Sequence, residues 1–253
     1  CVKKKYHEAA EALQNAIRGE KNLRMFLLDN YYPAGDEQQI VFEVTGKVVP
    51  TGGIPLDVGA VVCNVTTLMQ IADALEGKPV TERYLTVTGE VANPMTLKVP
   101  IGTPFSAVVA AAGGPERPEG YALIVGGPAM GKLCCNWDDP VQKTTGGLVV
   151  LPSNHPLIRM KTENPETEIM LTKAACCQCN LCTQMCPRNA LGLGVEPHKI
   201  MRAAFTGRGN LMGEPNGVFS CCDCGLCTYF ACNFGLKPSR MMARMKSGLA
   251  SSG

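Results

Sequence analysis

The stretch CCQCNLCTQMCP, residues 176–187, carries five cysteines and ends on a proline, and CCDCGLCTYFAC, residues 221–232, repeats the arrangement. Ten of the chain's 14 cysteines lie in these two stretches. A disulfide needs a particular Cα separation and orientation, and thiols packed this closely in sequence bridge one another poorly. A secreted disulfide scaffold would also be shorter and would spread its cysteines through its loops. Metal ligation in a reducing compartment fits the crowding better.

Read from Cys176, the first stretch is C-x2-C-x2-C-x3-C-P, through Cys179, Cys182, Cys186 and Pro187. Bacterial ferredoxins hold iron–sulfur clusters with this run. Three cysteines at three-residue steps can reach successive corners of one cubane, while the fourth projects away and ligates its neighbour. The second stretch aligns as Cys221, Cys224, Cys227 and Cys232, with one extra residue before its last cysteine and Asn233 in place of the proline. The expected assignment is therefore crossed. Cys176, Cys179, Cys182 and Cys232 hold one [4Fe–4S] cluster, and Cys221, Cys224, Cys227 and Cys186 hold the other. Structural zinc usually joins two C-x2-C pairs about 15–20 residues apart, and a thioredoxin-like redox site needs one pair only. Cys177 and Cys222 are left over, and packing is their default role.

The 253 residues suffice for two or three domains, and 45% hydrophobic with 18% charged residues is an ordinary globular balance. A formal charge of +2 gives no reason to expect nucleic acid or an anionic membrane surface as partner. No apolar run approaches the roughly 20 residues of a membrane span, so no transmembrane segment is expected. The chain begins with Cys1 rather than methionine, which suggests that the natural N-terminus lies upstream.

Outward from the cysteines, the texture divides the chain into residues 1–79, 80–152 and 153–253. In the first part, YHEAAEALQNAIRGE reads as a helix, LRMFLLDN as a buried strand, and YYPAGDEQQIVFEV as a loop followed by a strand. AVVC reads as a short buried strand, after which Asn64 caps a helix presenting Leu68, Ile71, Ala72 and Leu75 on one face and closed by Gly77. The middle part reads strand, turn at Asn93-Pro94, strand, a helix capped by Thr103 with Pro104 first, then two strands: a small α+β unit. TENPETE looks like a linker. EPHKIMRAAFTG reads as a short helix, and the tail after Leu236 starts helical.

Other motifs carry less. GGPAMGKL, from Gly126, matches a phosphate-binding loop until Leu133 stands where Ser or Thr should ligate Mg²⁺, and it reads as a glycine turn. The adjacent Cys134 and Cys135 lack ligand spacing, while His7, His155 and His198 stand apart from any nucleophile. VVCNVTT runs strand, Asn64, helix, where anions often bind in α/β sheets, although an ordinary helix cap explains it equally well.

Together these segments resemble a known family. LLDNYYPAGDEQQIVFEVTGKVVPTGGIPLDVGAVVCNVTT is similar to the flavin/NADH module shared by the Rnf complex C subunit, the PduS-type cobalamin reductases and the 51-kDa subunit of respiratory complex I. LTVTGEVANPMTLKVPIGTPFSAVVAAAGG with VGGPAMG resembles the β-grasp (SLBB) domain that follows it, and the paired cysteine motifs complete the order. CGLCTYFACNFGLKPSR and CPRNALGLGVEPHKIMRA look more like the PduS type. The resemblance implies an α/β fragment of a flavin/NADH-binding domain, an α+β SLBB domain, and a mainly helical ferredoxin-like domain with two [4Fe–4S] clusters. It implies electron transfer from NADH through FMN and the clusters to cobalamin, another corrinoid or a carrier protein. By the same resemblance the setting is cytoplasmic, in a bacterial microcompartment, beside shell proteins and a corrinoid adenosyltransferase. Asn64 and Thr67, in CNVTT, match a family motif and are implied as FMN contacts, with Thr66 replacing the usual acidic residue. The family's glycine-rich FMN/NADH loop lies upstream of Cys1, so the expectation is that these 253 residues alone bind FMN poorly and do not oxidise NADH. The alternatives are an Rnf-type C subunit and a ferredoxin-like relay without flavin catalysis.

Overall fold

The computed structural model of the chain describes residues 1–115, 118–206 and 216–250. They form two compact units, one of Cys1–Val62 with Thr172–Gly253, the other of Cys63–Leu171. Architecture follows the expected order: an α/β segment, a β-grasp sheet, then short helices around the cysteines.

In the first segment, β1 (Val2–Lys3) pairs in parallel with β2 (Leu27–Leu28), and α1 (His7–Ala16) lies between them in the chain. LRMFLLDN thus contributes only two paired residues. The strand expected in DEQQIVFEV is corrected, because Glu37–Thr45 is a helix, α2. Asp36 accepts a hydrogen bond from Gln39 N (3.2 Å), and Gly46, at φ 70, closes the helix. An aspartate followed three residues later by glutamine is a helix-start signal, and here it outranks the alternation of apolar residues. A single 3-10 turn, Pro55–Val58, follows.

The second unit begins with α3 (Val65–Leu75). AVVC before it is no strand: residues 60–63 join no sheet among the described residues, and Val61 is 77% exposed. Strands are held by cross-strand partners, and β-branched composition alone does not supply one. Asn64 caps α3 as expected, its Oδ1 accepting from Thr66 N (3.0 Å), and Gly77 follows at φ 76. The expected apolar face is exposed at Leu68, Ile71 and Leu75.

The sheet that follows holds β3 (Glu82–Gly89), β4 (Met95–Pro100), β5 (Tyr121–Val125), β6 (Lys132–Leu133) and β7 (Gly147–Pro152), in the order β4-β3-β7-β5-β6. Only β3 and β7 run parallel. α4 (Phe105–Ala111), the crossover helix, seals one face with Phe105, Val108 and Val109 against Leu85, Val87, Leu123, Leu148, Val150 and Trp137. Alternation along β5 and β7 turns Ile124 and Val149 to the other face, where Ile158 of α5 (Pro156–Thr162) covers them. Thr103 does not cap α4; its hydroxyl donates to Pro100 O (2.8 Å), and Pro104 takes the cap position. The GGPAMG segment is a glycine turn into β6, with no helix after it, and Lys161 donates to its Ala129 and Gly131 carbonyls (3.1 and 2.7 Å).

TENPETE is no linker: it ends α5 and starts α6 (Pro165–Ala175), with Glu166 and Glu168 in the first turn, where the helix dipole favours acids. Beyond it stand α7 (Leu181–Gln184), α8 (Pro187–Ala190), α9 (Pro197–Thr206), α10 (Asn216–Phe219), α11 (Leu226–Tyr229) and α12 (Pro238–Ala250). α7 packs on α9 and α11, and α12 on α9, α10 and α11. No helix among the described residues is long and apolar enough to cross a membrane.

Candidate metal centre

The duplication seen in sequence is a duplication of backbone. In the first cysteine loop the residues on either side of Cys179 are left-handed, Gln178 at φ 58 and Asn180 at φ 67. In the second, Asp223 (φ 54) and Gly225 (φ 79) flank Cys224 in the same way. Left-handed non-glycine residues carry strain and persist where the surroundings over-determine them, as at ligand clamps. Each loop then enters one turn of helix, α7 through Thr183 N to Asn180 O and α11 through Thr228 N to Gly225 O, both 3.0 Å.

Each turn is also bolted to a longer helix by a threonine that follows the third cysteine. Thr183 Oγ1 shares a hydrogen bond with His198 Nδ1 (2.8 Å) and accepts from His198 N (3.2 Å), at the start of α9. Thr228 Oγ1 does the same with Ser239 Oγ (2.6 Å) and Ser239 N (2.9 Å), at the start of α12. Both helices begin with proline, Pro197 and Pro238, which lacks the N–H that would otherwise go unpaired there. The repeated LCT triplet is the sequence signal that marks these ties.

None of the 14 cysteines forms a disulfide. Burial, and then the neighbouring Cys176 and Cys179, push the Cys182 thiol up to about 11. In the second loop burial pushes Cys221 up to about 12. Burial first, then Cys221, Cys186 and Cys182, raise Cys227. Cys186 caps α8 with Pro187 behind it, and both it and Cys182 of the first loop act on Cys227 of the second. Cys232 is half-buried in the turn after α11, its carbonyl accepting from Gly235 N (3.1 Å). Of the leftover pair, Cys177 is exposed, whereas Cys222 hydrogen-bonds Cys224, which lowers Cys222 and raises Cys224.

Among the described residues no three Cys, His, Asp or Glu side chains converge as ligands of a single ion would. A cubane asks for something else, one thiolate at each of four irons. Thiols such as Cys182, Cys221 and Cys227, whose burial resists ionisation, would be deprotonated by a bound cation, and they fit such clusters.

Residues 1–62 reach the cysteine-rich segment at three points that cysteine spacing could not reveal. Tyr32 Oη donates to Cys224 O (2.8 Å), Gly52 N to Ser220 Oγ (3.2 Å), and Arg188 Nη2 to Asp36 Oδ1 (2.8 Å). Of the residues implied as flavin contacts, Asn64 spends its side chain on the α3 cap, and Thr67 lies exposed in the first turn of that helix.

Three family models match the chain in order: the Nuo51 FMN-binding domain over residues 1–73, the SLBB domain over 84–133, and a 4Fe-4S dicluster domain over 175–237. The cobalamin reductase PduS of Salmonella typhimurium is 39% identical over 98% of the chain, and that of Citrobacter freundii 40% over the same share. The C subunit of the Na(+)-translocating ferredoxin:NAD(+) oxidoreductase complex of Acetobacterium woodii is 36% identical over 76% of the chain. The chain spans 55% of the length of either PduS protein and 41% of the Acetobacterium protein. A crystal structure of an NAD+-reducing [NiFe]-hydrogenase shares the fold over 97% of this chain and 46% of its own, with a TM-score of 0.50 at 20% identity. With three domains in matching order and the paired cysteine loops in place, the chain belongs to the family of the PduS cobalamin reductases and the C subunits of the ion-translocating oxidoreductase complexes.

Proposed function

We propose that this chain is the electron-relaying part of an NADH-dependent flavo-iron–sulfur reductase that delivers electrons to a corrinoid. When bound, FMN takes a hydride and yields electrons singly, and iron–sulfur clusters pass them on. The observation that carries the reading is the pair of backbone-matched cysteine loops, each flanked by left-handed residues and tied to a longer helix through the threonine after its third cysteine. Cys186, Cys221, Cys224 and Cys227 would hold one cluster and Cys176, Cys179, Cys182 and Cys232 the other, the places of Cys186 and Cys232 resting on the spacing of the repeat. Asn64 and Thr67 are offered as FMN contacts at the start of α3. The match to PduS proteins over 98% of the chain, against 76% for the Acetobacterium protein, favours the corrinoid over a membrane complex as destination. A microcompartment lumen, with shell proteins and a corrinoid adenosyltransferase as neighbours, is the setting this reading implies.

The ligand assignment is tested by anaerobic purification of alanine variants with iron and acid-labile sulfide counts. Cys186→Ala should lower iron from about eight to about four per chain. Adding Cys224→Ala should cost nothing further, while adding Cys179→Ala should remove the rest. The opposite pairing would refute the crossed arrangement, and a colourless, zinc-bearing preparation would refute the clusters. Failure of the full-length protein to reduce a corrinoid with NADH, with both clusters present, would overturn the proposed acceptor.

A further inference from the structure

Arg188 is the second residue of α8, two positions after Cys186, and only 7% of it is exposed. A guanidinium that deeply buried needs acceptors for its donors and a counter-charge. One nitrogen, Nη2, finds Asp36 Oδ1 at 2.8 Å. Nε, however, is buried and has no acceptor among the described residues. An orphaned guanidinium N–H two residues after Cys186 is a donor that an anionic group would satisfy, and a cluster held by Cys186 would be one.

Resting on the cluster reading above, we propose that Arg188 sets the reduction potential of the centre held by Cys186, Cys221, Cys224 and Cys227, as a buried cation that Asp36 partly offsets. One-electron reduction adds a negative charge to a cluster. A cation in a medium of low dielectric stabilises that extra charge and raises the potential, and an anion does the reverse. An ion pair on the second loop, Lys246 with Asp223 (3.1 Å), has side chains 28% and 52% exposed, so solvent screens it. The side chains of Asp36 and Arg188 are 10% and 9% exposed and escape most of that screening. Asp36 also caps α2, so Asp36→Asn removes the charge while keeping a competent cap.

The test is a potentiometric titration of the full-length protein followed by electron paramagnetic resonance. The relevant centre is the one whose signal Cys224→Ala removes. Arg188→Met should lower its potential and Asp36→Asn should raise it, each by about tenfold in the reduction equilibrium, or about 59 mV for one electron. Arg188→Lys, which keeps the charge, should restore most of the potential lost in Arg188→Met, and the second cluster should stay unmoved throughout. A residue that only packs would give shifts of one sign, or none. Shifts of the same sign, equal shifts of both clusters, or unmoved potentials overturn the proposal. Should Arg188→Met fail to load iron, Asp36→Asn carries the test alone, an unmoved potential again being fatal. A wild-type protein without iron or labile sulfide would instead defeat the cluster reading itself.

Discussion

Gly89 and Gly102 offer a matched pair of perturbations in the β-grasp unit. Their backbones are nearly the same, at φ +95 and φ +97, a region that L side chains rarely adopt. Around Gly102 a new Cβ would meet nothing within 4 Å. At Gly89 it would sit 2.0 Å from Val150 O and 3.0 Å from Val150 N and C, on the parallel pairing of β3 with β7. Gly102→Ala therefore costs backbone strain alone, about 1–3 kcal/mol. Gly89→Ala carries the same strain, and the two strands must also part. The bond from Glu90 N to Val150 O (2.9 Å) is then lost, at about 1 kcal/mol, with overpacking adding about 1–3 kcal/mol. The expected difference between the variants is at least about 2 kcal/mol. The single tryptophan, Trp137, lies in the core of this unit, so urea unfolding followed by its fluorescence reads the unit directly. Equal destabilisation of the two variants would refute the reasoning, because strain would then explain everything and the close approach of β7 nothing.

Thr183→Val and Thr228→Val should each destabilise the cysteine-rich unit by about 1–2 kcal/mol, by stripping the acceptor from His198 N or Ser239 N; thermal unfolding with iron retention as second readout checks this, and a loss confined to one of the two would contradict the symmetry of the loops. His198 supplies a pH dependence. Burial first holds its imidazole below the ordinary value of 6.5, so the unfolded chain takes up the proton earlier and stability falls as pH drops through that value. His198→Gln should flatten this slope in chemical denaturation at pH 5 to 7, roughly the window in which an unperturbed imidazole titrates, and an unchanged slope would exclude His198 as its source.

What the amino-acid sequence determined by itself is whatever depends on reach along a few residues. Thiolates three positions apart can share one cubane whatever the rest of the chain does, so the cysteine loops and the α3 cap at Asn64 were legible. The helix Glu37–Thr45 was legible too, in the Asp36–Gln39 start signal, but the apolar alternation around Val41 points the other way and masks it. AVVC shows the converse: its residues favour a strand, yet a strand exists only where another offers hydrogen bonds, and that is decided by the whole fold. Tertiary structure alone brought Asp36 to Arg188, 152 residues away, and Tyr32 to the carbonyl of Cys224. A buried charge is tolerable only when folding delivers its partner, and no local pattern in a chain announces which distant residue that will be.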